Sequence, residues 1–366
     1  MNKPVFIDIN AQQIIDDTVA AYESATGKVL APGQAERLLI NAFAYREYLL
    51  RTAIQSAAEQ NLVDFAIYPA LDWLGVLVGV SRLPAAASEC TIQLNLVDGH
   101  SAISIPSGIR IQSIDGQAIF ATTETVNVPV GINSVLVNAQ SLTEGITGNG
   151  YTIGQVSIIL DPQPYLTGAT NLDISNGGSA EETDDALRER IKLAPSSFSN
   201  AGSKGAYKYW AKTAHPLIMD VSVASPVPGT VVLYPLLQGG VAPSQEIIDA
   251  VYATCNADKV RPLTDTVIVE APGAINYNLN IELTLLTNAV QSDVVNAVNA
   301  ALQTYADDRK QRMGVDVVIS QLIRICNIDG VYSTKVVSPS ADIVVNDGQF
   351  ANIGTINVSV TGTSDE

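Results

Sequence analysis

The spacing of apolar residues changes near residue 88, and that change limits the folds open to this chain. From residue 10 to about 80 apolar positions recur every three to four residues, from about 88 to 175 they alternate, and beyond 195 the two patterns take turns. A chain of 366 residues patterned in this way divides into several domains. It reads as an α+β multidomain protein with an N-terminal helical region (1–87), a small antiparallel β domain (88–176) and a linker helix (177–200). Two mixed α/β units follow (201–272 and 273–366), and the second ends in β strands.

The helical region opens at Asn10, a capping residue, and its first helix ends near Gly27. A longer helix follows Pro32 and Gly33. Its apolar residues Leu38, Leu39, Ala42, Phe43, Tyr45, Leu49, Leu50, Ala53 and Ala57 spread over an arc of about 160° at 3.6 residues per turn, with Glu36, Glu47, Arg51 and Gln55 on the opposite side. So wide an arc fits either a helix deep in its own domain or one shared in a bundle with other chains. In the second case Leu38, Leu39, Phe43, Leu49 and Leu50 form the interface.

Between 88 and 175, "TIQLNL" alternates through Ile92, Leu94 and Leu96, and "IPSGIRIQS" through Ile105, Ile109 and Ile111. Gly, Asn and Asp mark the turns between them, as in "SIDGQA" and "TGNGYT". Farther on, "DVSVAS", "TVVLYPLL", "DTVIVEA" and "NYNLNIELTLL" read as strands. Helices are expected after Ser244 and from a cap at Ser292, and "GSKG" (202–205) reads as a flexible bend. The run from Val331 reads as three strands. Two strand-helix-strand arrangements, roughly 220–272 and 275–337, suggest a duplication.

Composition excludes several classes of function. Only 16% of residues are charged, against about 25% in an average soluble chain, and large uncharged surfaces usually meet other proteins. The net charge of -17 repels phosphate backbones and anionic lipid, so neither nucleic acid nor membrane is an expected partner. No secretory leader is apparent, and no apolar run approaches the roughly 18 residues that span a bilayer, so folding in the cytosol is expected. Cys90, Cys255 and Cys326 lack paired spacing, and neither His100 nor His215 has a ligand-forming neighbour. All five read as structural, with no metal or cofactor.

The densest cluster of functional groups is "GGSAEETDDALRERI", Gly177 to Ile191. Ser179 and Glu182 have capping-box spacing, which predicts a helix start there. The acids Glu181, Glu182, Asp184 and Asp185 then suit the positive end of the helix dipole, and Arg188, Arg190 and Lys192 the negative end. Asp184 and Arg188 form an exposed i, i+4 pair, while Leu187 and Ile191 supply a buried stripe. Neighbouring acids on one helix diverge by about 100°, so they do not converge on a metal. There is no Gly-x-Ser-x-Gly, His-Glu-x-x-His or Walker loop, and the chain reads as no enzyme. Two rival readings are a metal-dependent hydrolase using the acids at 181–185 and a carbohydrate- or surface-binding β module relying on Phe120, Tyr151 and Tyr165.

In order along the chain, "LDWLGVLVGVSRLPA" (71–85), "IPSGIRIQSIDGQAIFAT" (105–122), "GGSAEETDDALRER" (177–190), "VRPLTDTVIVEAP" (260–272) and "GVDVVISQLIRICNIDGVYSTKVVSP" (314–339) resemble the baseplate J-like proteins of contractile-tailed phages and related contractile injection particles. The resemblance marks Gly177, Gly178, Asp184, Leu187, Arg188 and Arg190 as structural residues of the family motif. It implies a structural protein of the baseplate wedge, assembled in the bacterial host cytoplasm and located in the virion tail. The partners it implies are a second copy in the wedge, a smaller wedge protein met through a helical bundle, neighbouring wedges in a six-fold ring, and the sheath-initiating and hub proteins. Rearrangement of that ring is expected to trigger sheath contraction.

Overall fold

The computed structural model describes residues 3–198 and 202–365. They form two compact units. One comprises the chain up to Arg82 together with Leu187–Lys192, and the other holds Leu83–Ala186 and the chain from Leu193 onward.

The N-terminal part of the first unit carries the helices α1 (Ala11–Thr26), α2 (Ala35–Glu59) and α3 (Ala70–Val76). Asn10 caps α1 by accepting from the backbone N–H groups of Gln12 and Gln13, and Gly27 ends it at φ 68°, a left-handed conformation that costs glycine little. Val19 of α1, Leu30 of the connection and Ile40 of α2 pack together, joined by Ile15 and Tyr22.

The second unit begins with the strands β1 (Ala87–Leu96), β2 (Ile103–Ile105), β3 (Arg110–Ser113), β4 (Ile119–Thr122), β5 (Val126–Val128), β6 (Ser134–Glu144), β7 (Val156–Ile159) and β8 (Leu166–Asn171). Six of them form one antiparallel sheet in the order β7-β3-β4-β6-β1-β8, while β2 pairs with β5. The alternating residues Ile92, Leu94, Leu96, Ile105, Ile109 and Ile111 share a single core, which Phe120 and Val137 complete. The sheet curls into a nearly closed barrel, and Asn171 bridges its two edge strands. The Asn171 side chain is fully buried, accepts from Val156 N (2.9 Å) and donates to the carbonyls of Thr152 (3.0 Å) and Asp173 (2.7 Å).

Helix α4 (Asp184–Leu193) follows the barrel, and α5 (Lys204–Ala214) comes next. The expected bend at "GSKG" is instead a helix start. Gly202 turns the chain at φ 69°, and Ser203 caps α5 by accepting from Ala206 N at 3.2 Å. The first α/β unit continues with β9 (Ile218–Ala224), β10 (Thr230–Leu237), α6 (Gln245–Cys255) and β11 (Thr266–Val269), in which β10 runs antiparallel to β9 and parallel to β11. In the last unit β12 (Gly273–Leu286), α7 (Gln291–Lys310), α8 (Ile319–Cys326), β13 (Val331–Ser338) and β14 (Gln349–Ser364) form a sheet ordered β13-β12-β14.

Each α/β unit thus has a central strand with one antiparallel and one parallel neighbour. Their connections differ, because the helical crossover leads to the parallel strand in the first unit and to the antiparallel strand in the second. The suggested duplication therefore does not extend to topology. Two local expectations also change. Helix α7 is capped at Val290 rather than at Ser292, whose hydroxyl instead donates to Asp293 at 3.2 Å. The run from Val331 makes two strands, and its middle segment contributes only a bridge between Ile343 and Val317. Within the second unit Leu236, Met313 and Phe350 pack the two α/β units together, and Met313 N donates to Asp220 at 2.9 Å.

Candidate functional site

Helix α2 is amphipathic in the reverse of the usual sense. Its buried residues Ile40, Ala44, Gln55 and Glu59 lie on one side, and Leu38, Leu39, Phe43, Tyr45, Leu49 and Leu50 lie exposed on the other. At 100° per residue the two sets are centred about 180° apart. Leu39 is 60% and Phe43 59% exposed, whereas Gln55, expected in solvent, is 8% exposed.

The N-terminal strap explains that inversion. Gln55 Oε1 accepts from Phe6 N (2.8 Å), and its Nε2 donates to Pro4 O (2.8 Å) and to Glu59 (2.7 Å). Lys3 pairs with Glu59 at 3.0 Å, and Arg51 donates to Asp8 O at 3.3 Å. The strap's backbone groups need partners, and an i, i+4, i+8 polar stripe on α2 supplies them. The polar side is therefore covered by the chain itself, and the apolar side is left uncovered.

The glycine-rich stretch has a different task from the one its spacing suggested. Ser179 does not cap a helix. Its backbone pairs with Ala86 in an extended bridge (2.9 and 3.0 Å), its hydroxyl is buried with no hydrogen-bond partner, and α4 starts five residues later at Asp184. Glu182 is buried, and its carboxylate accepts from Leu83 N at 3.0 Å while its own N–H donates to Leu83 O at 3.1 Å. The cap belongs to Thr183, whose hydroxyl accepts from Ala186 N at 3.4 Å. A Ser/Thr directly before the acidic pair was the available signal.

Gly177 sits at φ 83°, and Gly178 lies so close to Ser88 that an added Cβ would fall 2.2 Å from its hydroxyl and 2.3 Å from Gly145 O. Asn149 holds this crossing, accepting from Gly178 N (2.9 Å) and donating to Gly178 O (2.7 Å).

Farther along α4, Leu187 and Ile191 are buried, as their spacing predicts. Arg188 is half-buried rather than solvated, donating to the carbonyls of Val63 and Ala66 at 2.8 Å each. Arg190 is buried as well and donates to Ser81 O. Lys192 pairs with Asp64. These cations terminate the loops that follow α2 and α3. Sequence spacing sees only neighbours on the same helix, so it could not place carbonyls more than a hundred positions away.

Among the described residues no group of three or more His, Cys, Asp or Glu is arranged to hold a metal ion, and no helix is long and apolar enough to cross a membrane. The three cysteines are buried, and burial pushes their thiols up to about 12 for Cys90 and Cys255 and about 11 for Cys326, far from a reactive thiolate. Burial holds His215 below its ordinary value, opposed by a hydrogen bond with the Gly177 backbone. His100 lies between the carbonyls of Ser101 (2.6 Å) and Ile132 (2.8 Å), which raise its pKa. The aromatics on which a saccharide-binding face would rely are turned inward. Phe120 is fully buried, with Tyr151 edge-on at 6.2 Å, and Tyr165 packs on the same core.

Comparison with known proteins matches four segments to four domain families in chain order. They are the Baseplate J-like N-terminal domain (37–88), the Baseplate J-like protein barrel domain (91–178), the Baseplate J-like central domain (199–271) and the Baseplate J-like protein C-terminal domain (277–359). Baseplate protein J of Escherichia phage P2 is 32% identical over 203 residues, which amount to 55% of this chain and 66% of that protein. The chain thus spans just under two thirds of that relative's length. A chain from the cryo-EM structure of the six-fold symmetrised baseplate of the anti-feeding prophage is similar with a TM-score of 0.44 at 12% identity, covering 93% of this chain and 90% of that one.

Proposed function

We propose a structural, non-enzymatic role in a contractile tail from one premise: the chain belongs to the baseplate J-like family. It is a component of the tail baseplate and associates there with other baseplate proteins. In this reading it is a wedge protein whose copies join neighbouring wedges into a six-fold ring around the hub, and whose rearrangement releases sheath contraction.

The observation that carries the reading is the outward apolar arc of α2. A lone domain would turn Leu38, Leu39, Phe43, Leu49 and Leu50 inward, but here the inward side is occupied by Gln55 and Glu59. Exposed apolar surface of this extent is costly in water, at about 25 cal/mol per Å². Helices of a second copy and of the smaller wedge protein would cover it in a bundle. The C-terminal α/β units would make the ring contacts, and Gly177, Gly178, Asp184, Leu187, Arg188 and Arg190 would hold the chain's own architecture.

The test is co-purification of the chain with the smaller wedge protein from the same particle, followed by electron microscopy for a six-fold ring at the tail tip. Leu39→Asp with Phe43→Asp should abolish wedge assembly while leaving the chain folded. Intact assembly in that variant would exclude the bundle role, and a free monomer that binds a small ligand saturably would overturn the reading as a whole.

A further inference from the structure

The apolar arc of α2 has a charge inside it. Between Tyr45 at one margin and Phe43 at the other, Arg46 is the one charged residue, flanked along the helix by Leu39, Ala42, Leu49, Leu50 and Ala53. It is exposed, and among the described residues it forms no ion pair. The helix has three carboxylates of its own, and each is committed elsewhere: Glu36 to Lys28, Glu47 to Arg51 and Glu59 to Lys3.

A guanidinium cannot lose its proton, and covering it without a counter-charge is strongly unfavourable. Near either margin the side chain could extend along the helix to water, but Arg46 lies inside the arc, about 100° from Tyr45 and about 60° from Phe43. In heptad terms Leu39, Arg46 and Ala53 share one seam position, and a single polar residue on a seam selects the register and number of its partners. The small side chains of Ala42 and Ala53 leave room beside the guanidinium for an incoming group.

We propose that the helix covering α2 is amphipathic and sets a carboxylate against Arg46, and that this ion pair fixes the register of the bundle. The inference rests on the bundle reading above and adds the chemistry its partner must carry. Two copies of this chain packed through the same face would bring two Arg46 side chains together, so the carboxylate must come from the other helix, that of the smaller wedge protein.

The test co-expresses the full chain with the smaller wedge protein of the same particle and measures the complex by co-purification and titration. Arg46→Glu should weaken it about 30-fold or more, with an unchanged circular dichroism spectrum of the isolated chain. Reversing one acidic residue of the partner to Lys should restore it. Arg46→Met should keep association but yield mixed stoichiometries in native mass spectrometry. Unchanged affinity in Arg46→Glu would overturn the proposal, as would a loss that no acidic reversal rescues. Failure of the bundle reading looks different, because there the wild-type chains do not associate and Leu39→Asp has nothing to disrupt.

Discussion

Leu39 and Gln55 lie on opposite sides of α2, and the glutamine is the buried one. Its amide gives one hydrogen bond to Pro4 O and takes one from Phe6 N, so the strap depends on it. Gln55→Ala should release the strap at a cost of about 0.5–1.5 kcal/mol in that unit, since part-buried backbone groups lose their partners. Hydrogen exchange at Phe6 and Ile7 should then rise to coil rates while exchange within α2 stays slow. Retained protection at Phe6 would show that the strap is held by something else.

Gly178 tests how closely the chain crosses itself beside the barrel. A methyl there meets a hydroxyl at 2.2 Å and a backbone carbonyl at 2.3 Å, and the carbonyl cannot swing aside. Gly178→Ala should therefore cost more stability in urea than Gly177→Ala, where space is open and only the φ of 83° is unfavourable, at about 1–2 kcal/mol. Equal midpoint shifts would contradict the crossing geometry.

Asn171 closes the barrel with one acceptor and two good donor contacts in a fully buried site. Asn171→Leu keeps the branching but strands Val156 N–H and two carbonyls, a loss of roughly 2–4 kcal/mol. Calorimetry should register it as a lower barrel transition. An unchanged transition would mean that the edge strands close without this side chain.

His215 gives the chain a pH dependence of definite sign. Burial depresses its folded pKa below the unfolded value near 6.5, so folding favours the neutral ring. That contribution is complete above pH 6.5 and is lost as pH falls from there through the folded pKa. His215→Gln should flatten the stability slope as pH falls below about 6.5. The Asp161 carboxylate, held at about 2 by Arg110, contributes in the same direction only below about pH 4.

The sequence was legible where a structure follows from neighbours. The alternation through Ile92, Leu94 and Leu96 delivered the barrel core, and "TVVLYPLL" coincides with β10 from Thr230 to Leu237. It misled where a local rule had a distant competitor. Ser179 and Glu182 have capping-box spacing, but Ala86 and Leu83 engage them first, through backbone pairing across about 95 residues. Gln55 looked solvated because nothing in a helical period reveals that Pro4 and Phe6 fold back onto it. The apolar arc of α2 was readable as a pattern, and its outward aspect became visible only once the polar side was found covered.

The first unit is completed by Leu187–Lys192, whose cations end the loops at Val63, Ala66 and Ser81. During synthesis those residues leave the ribosome about a hundred positions after Arg82, a delay of roughly 5–20 s at bacterial elongation rates. The loops that follow α2 and α3 stay untied until the whole barrel has been translated. A nascent chain therefore completes its first unit late, and ribosome-bound fragments ending before Leu187 should leave the loops after α2 and α3 open to proteolysis.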